Sequence, residues 1–107
     1  MLKHLTYFGI ASLFFLTMTT SSFAQNSGVE LYQSKCQMCH AADGSGNSPA
    51  GKAMKAHPFN SPDVLKQSDA DLIAIIKKGK NKMPAFEGKL TDAQIAAVVA
   101  HIHTLQK

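Results

Sequence analysis

The chain has 107 residues, enough for one domain, and contains no arginine. Eleven lysines against seven acids leave a net charge of +4, too mild a bias to argue for nucleic acid, and no nucleic-acid fold motif accompanies it. The two cysteines stand three positions apart, which excludes a disulfide framework because a bridge across so short a loop removes little chain entropy.

The first 24 residues read as a leader. Lys3 and His4 form a short polar start, Leu5 to Met18 is mostly apolar, Thr19 to Ser22 turns polar, and Ser22-Phe23-Ala24 is a small-x-small cleavage site. This predicts a cleavable signal peptide over 1–24, with 25–107 as the domain. A retained anchor is the alternative, but the apolar run is short for a span and lacks a stop-transfer charge cluster. Export implies an oxidising compartment, most simply a bacterial periplasm. A domain this small needs a staple larger than its own side chains supply.

Gly28, Leu31, Tyr32, Cys36, Cys39 and His40 form one stripe at helical spacing, predicting a first helix near 28–41. Gly28 costs conformational entropy in a helix, so it marks either a close crossing by another helix or a plain linker glycine. Cys36-Gln37-Met38-Cys39-His40 reads C-x-x-C-H, the attachment pattern of c-type haem. Two sulfurs on one helical turn can reach the two vinyl groups along one porphyrin edge. The next residue, a histidine, is carried under the iron. A thioredoxin-like dithiol would need strands that are not readable here, and a structural zinc would need a second ligand pair.

Residues 41–62 are rich in Gly, Pro, Asn and Ser and read as an irregular loop that wraps something, with Met54 and Phe59 as candidates to pack on the ring. Ser68-Asp69-Ala70-Asp71 is a capping box with a short acid; Leu72, Ile73, Ile75 and Ile76 follow, then Lys77, Lys78 and Gly79. That predicts a second main helix near 69–78. Lys80 to Phe86 is a polar loop that holds the thioether of Met83, with Pro84 fixing the backbone after it. Thr91-Asp92-Ala93-Gln94 is another capping box, and Ile95, Val98, Val99, Ile102 and Leu105 continue as an amphipathic helix near 92–105. No alternating strand pattern appears.

On these residues the chain resembles the class I cytochrome c family, in particular small bacterial monohaem c-type cytochromes. The resemblance rests on Cys36, Cys39 and His40, the Asp43-Gly44-x-Gly46 turn, Lys82-Met83-Pro84-Ala85-Phe86 and the C-terminal helix. It implies an all-α cytochrome c fold, three main helices and loops around one covalent haem c. It implies thioethers at Cys36 and Cys39, His40 as proximal iron ligand and Met83 as distal ligand. Met54, His57, His101 and His103 are the competitors for the sixth position. Gly28 and Tyr32 match the family's glycine and aromatic at the crossing of the terminal helices. His101 stands where the family commonly has an aromatic, so a looser crossing is expected. The proline carbonyl that often receives the proximal histidine's hydrogen bond has only a loose match, at Pro58 or Pro49.

A His/Met iron has no open coordination position, so the expected function is one-electron transfer between redox partners, not enzymatic turnover. Lys77, Lys78, Lys80 and Lys82 are expected either to steer acidic partners or merely to complement a helix end. The rival reading is a haem sensor or peroxidase-like enzyme with a labile distal ligand. The same chemistry also suits the electron-accepting subunit of a dehydrogenase complex.

Overall fold

The computed structural model describes the backbone of residues 22–107 and the side chains of 27–107. The expected leader therefore lies outside the described residues, apart from Ser22 to Ala24, which form the first turn of a helix. The elements are α1 (Ser22–Lys35), α2 (Gln37–His40), α3 (Pro49–Met54), α4 (Pro62–Leu65), α5 (Asp69–Lys78) and α6 (Asp92–Leu105). Among the described residues there is no strand, only isolated bridges between Lys80 and Met83 and between Glu87 and Leu90. None of the described helices is long and apolar enough to cross a membrane.

The expected first helix is two helices. Cys36, at φ −117° and ψ −35°, breaks the run between α1 and α2. The helical track survives the break, because Cys36 N–H donates to Tyr32 O and His40 N–H to Cys36 O, both at 2.9 Å. Tyr32, Cys36 and His40 thus stay on one side of the chain. The segment expected as an irregular loop also contains two short helices. Ser48-Pro49 opens α3 and Ser61-Pro62 opens α4, each with serine at the N-cap and proline at the first helical position.

The main helices follow their local chemistry. Ser68 Oγ accepts from Asp71 N–H at 3.2 Å while Asp71 Oδ2 accepts from Ser68 N–H at 3.1 Å. Thr91 and Gln94 repeat the exchange at the start of α6. Each box satisfies amide donors that a helix start otherwise leaves orphaned. α5 and α6 are tied at both ends, by Lys77 to Asp92 at 3.0 Å and His103 to Asp69 at 2.6 Å.

The core gathers where α1 crosses α6. Tyr32, Ile95, Val98 and Val99 are almost wholly buried, and Leu72, Ile76, Phe86 and Ile102 extend the cluster. Gly28 lies at the crossing: a Cβ there would run into the carbonyl of Ala97. This favours the close-crossing reading of Gly28 over the linker reading. His101 meets the Tyr32 ring edge-on at 4.8 Å between centroids, so at this crossing the imidazole packs where the family commonly has an aromatic.

Candidate functional site

A cavity of about 600 Å³ opens between α2, the α3–α4 segment, the α5–α6 face and the loop after α5. Pockets for organic ligands commonly run to roughly 300–1,000 Å³. Cys36, Cys39, His40 and Met83 all line this one cavity, with Leu72, Ile75, Ile76, Val98 and Ile102 as its apolar floor.

Cys36, Cys39 and His40 are positioned by the way α2 ends. Ala41 follows at φ 64° and ψ 166°, a region that essentially only glycine tolerates. Tyr32 Oη holds that strained residue by donating to Ala41 O at 2.6 Å. The carbonyls that α2 would leave unpaired are also taken. His40 O accepts from Gly46 N–H at 2.9 Å, and Ser48 Oγ contacts Met38 O at 2.6 Å and Cys39 O at 3.0 Å. The same Oγ accepts from Gly51 N–H at 3.0 Å, so one serine joins the end of α2 to the start of α3. Burial, with Cys39 beside it, pushes the Cys36 thiol up to about 11. Burial also holds the His40 imidazole below its ordinary value, favouring the neutral ring that can donate a lone pair to a metal.

Met83 is carried by α5. The last turn of that helix has carbonyls to satisfy, and the loop supplies the donors. Gly79 N–H reaches Ile75 O at 2.8 Å, Phe86 N–H reaches Ile76 O at 3.0 Å, and Glu87 N–H reaches Lys77 O at 3.1 Å. Lys80 and Met83 exchange backbone hydrogen bonds at 3.2 and 2.9 Å around Asn81, which has φ 54°. The thioether thus sits on a tight turn stapled to a helix end, half-buried against the core.

Two of the four competing residues also line the cavity. Met54 is 51% exposed, and His57 is exposed with Nδ1 at 3.0 Å from Asp63 Oδ2. His101 packs on Tyr32, while His103 is held by Asp69 and Gln106; neither lines the cavity. Of the lysines before Met83, Lys80 and Lys82 line the cavity and Lys77 is paired with Asp92. Lys35 and Lys55 join the cavity wall from elsewhere in the chain, which linear reading did not reveal. Phe59 is buried and stacks on His40.

The residues present fit a haem. Paired thiols one turn apart, an imidazole with a buried and unpartnered Nδ1, and a thioether converge on an apolar cavity of suitable size. Among the described residues, no three His, Cys, Asp or Glu side chains cluster closely enough to hold a bare metal ion.

Comparison with known proteins points the same way. The profile of the family described as cytochrome c oxidase, cbb3-type, subunit III matches residues 23–102. Cytochrome c6 of Thermostichus vulcanus is 33% identical over 96 residues, covering 87% of this chain and 82% of its own. Cytochrome c6 of Synechococcus elongatus is 35% identical over 77 residues, covering 71% and 84%. The solved structure of KustC0563 c-type cytochrome superposes with a TM-score of 0.69 at 30% identity, covering 75% of this chain and 98% of that one. The chain belongs to the cytochrome c family. It is a small monohaem c-type cytochrome with an all-α fold, an electron-transfer protein whose cofactor is one covalently bound haem c with its iron.

Proposed function

We propose that the protein is an exported, periplasmic electron shuttle whose haem would be attached through Cys36 and Cys39 and whose iron would be held by His40 and Met83. The observation that carries this reading is that these four side chains, from two distant stretches of sequence, line a single cavity. When bound, the haem supplies a one-electron Fe(III)/Fe(II) couple.

The chain supplies the rest. Cys36 and Cys39 would hold the haem covalently through their sulfurs. His40 offers a neutral imidazole nitrogen. Met83 offers a soft thioether, which favours the ferrous state and raises the potential relative to two nitrogen ligands. Met83 is preferred over Met54 because it packs against the core while Met54 is half exposed. It is preferred over His57 because that ring already faces Asp63 and lies two residues from Phe59, which stacks on His40.

With both His40 and Met83 holding the iron, the site would offer no place for oxygen or peroxide, which suits a carrier better than a sensor or peroxidase. Lys80 and Lys82, with Lys35 and Lys55, line the same cavity and would steer acidic redox partners toward it; Lys77 and Lys78 add to the field. The same site would serve a free shuttle or the electron-accepting subunit of a dehydrogenase complex.

The reading is tested with ligand variants of the matured protein. Met83→Ala is expected to lose the weak far-red band of Met-ligated ferric haem and to bind CO at neutral pH. Met54→Leu and His57→Gln are expected to keep the band. A far-red band that survives in Met83→Ala overturns the distal assignment, and CO binding by the unaltered protein favours the sensor or peroxidase reading.

A further inference from the structure

The C-x-x-C-H run sets where its two sulfurs lie in the sequence, but not the direction in which the second one points. That direction follows from φ and ψ at Cys39, which are defined by the peptide planes on either side of its Cα. The Met38 carbonyl lies in the first plane and the Cys39 carbonyl in the second. Both belong to α2, a helix of four residues whose carbonyls find no partners within it. The chain does not supply them by continuing the helix, because Ala41 turns it away at φ 64°. Gln37 O is met by Ala41 N–H and His40 O by Gly46 N–H, both at 2.9 Å. The two carbonyls that flank Cys39 are left to one side chain.

That side chain is Ser48. Its Oγ stands 2.6 Å from Met38 O and 3.0 Å from Cys39 O. A hydroxyl carries one proton, so the shorter contact takes the larger share of it. The oxygen is itself held in place, because it accepts from Gly51 N–H at 3.0 Å as the N-cap of α3. α3 also presses on the end of α2 through a buried glycine: a Cβ on Gly51 would run into Cys39 O and stand 2.9 Å from Ser48 Oγ.

We propose that Ser48 is a positioning residue for haem attachment, its hydroxyl fixing both peptide planes at Cys39 and with them the direction of the Cys39 sulfur. Capping α3 is a separate task of the same oxygen. The cap needs only an acceptor, whereas the two carbonyls need a donor. The inference rests on Cys39 being a point of haem attachment.

The test separates the two tasks with Ser48→Thr, Ser48→Ala and Ser48→Asp in the matured protein. Ser48→Thr keeps donor and acceptor, and Ser48→Ala removes both. Ser48→Asp keeps the cap, since a carboxylate is a good N-cap acceptor, but has no proton to give a carbonyl. Each protein is denatured and alkylated, and peptide mass mapping reads the fraction of chains whose Cys39 carries the alkyl group instead of haem. Ser48→Ala and Ser48→Asp are both expected to raise that fraction several-fold over wild type, with Cys36 still linked, and Ser48→Thr to leave it unchanged. A rise in Ser48→Ala that Ser48→Asp does not share would overturn the proposal, because the cap alone would then matter. A rise in Ser48→Asp alone would overturn it too, as simple repulsion between carboxylate and carbonyls. A second measurement needs no variant. In the ferrous wild-type protein the Ser48 hydroxyl proton is expected to resist solvent exchange and to couple to the Met38 carbonyl carbon; a freely exchanging hydroxyl overturns the proposal. Alkylated Cys39 throughout the wild-type protein brings down the attachment reading and this inference together. A fully linked wild type whose Ser48→Ala and Ser48→Asp variants are linked equally well sinks the inference alone.

Discussion

Gly28 on α1 and Ala97 on α6 meet backbone to backbone: a Cβ on Gly28 would stand 2.7 Å from the carbonyl carbon of Ala97 and closer still to its oxygen. No rotamer relieves such a clash, because both partners are main chain. Gly28→Ala is therefore expected to force the helices apart and destabilise the holoprotein by about 1–3 kcal/mol. Denaturant unfolding checks this. A stability equal to wild type would mean that the crossing has slack.

Gly79 links helix end to candidate ligand. It ends α5 at φ 74° and ψ 170°, and a Cβ there would stand 2.7 Å from Met83 O. Only glycine adopts that backbone at low cost. Gly79→Ala should destabilise the fold by about 1–3 kcal/mol and displace the turn that carries Met83. The readout is the far-red band of the ferric protein, which should weaken or vanish well below the melting temperature.

Tyr32 ties α1 to the residue after His40 through its 2.6 Å hydrogen bond to Ala41 O. Tyr32→Phe keeps the buried ring and removes only the donor. The expected cost is about 0.5–1.5 kcal/mol, the net range for losing one hydrogen bond. Thermal melting of the two proteins side by side measures it. No change would mean that the Ala41 carbonyl finds water.

His103 gives a pH-dependent contribution. Its Nδ1 faces Gln106 Oε1 at 2.8 Å and its Nε2 faces Asp69 Oδ1 at 2.6 Å. Two oxygen acceptors favour the doubly protonated ring, so Gln106 first and Asp69 second raise its pKa above the ordinary 6.5. The folded chain then holds this proton more tightly than the unfolded chain does. The stabilisation is complete below the unfolded value and disappears as the pH rises through the folded one. The melting-temperature advantage of wild type over His103→Gln should be largest below the unfolded value of 6.5 and shrink as the pH rises above it. An advantage that is flat with pH would contradict the proton-linked contact.

Much of this was legible because it was local. The Ser68/Asp71 and Thr91/Gln94 pairs mark helix starts that the structure places at Asp69 and Asp92, and Gly79 marks the end of α5. C-x-x-C-H and Met83-Pro84 announce a haem protein without any knowledge of the fold. What escaped linear reading depends on space. The Ser-Pro starts of α3 and α4 carried a helix signal, but the surrounding glycines and prolines masked it. The break at Cys36 is a single departure from helical torsion that residue identity does not encode. That Lys35 and Lys55 share a wall with Lys80 and Lys82, or that Phe59 lies flat on His40, follows only from how the α2–α3 corner folds back.

The central claim is one covalently held haem with an imidazole and a thioether on its iron. The optical spectrum of the matured protein in both oxidation states tests it most directly. A sharp reduced α band together with the weak far-red ferric band is predicted. A colourless protein, or a high-spin ferric spectrum without the far-red band, would contradict it.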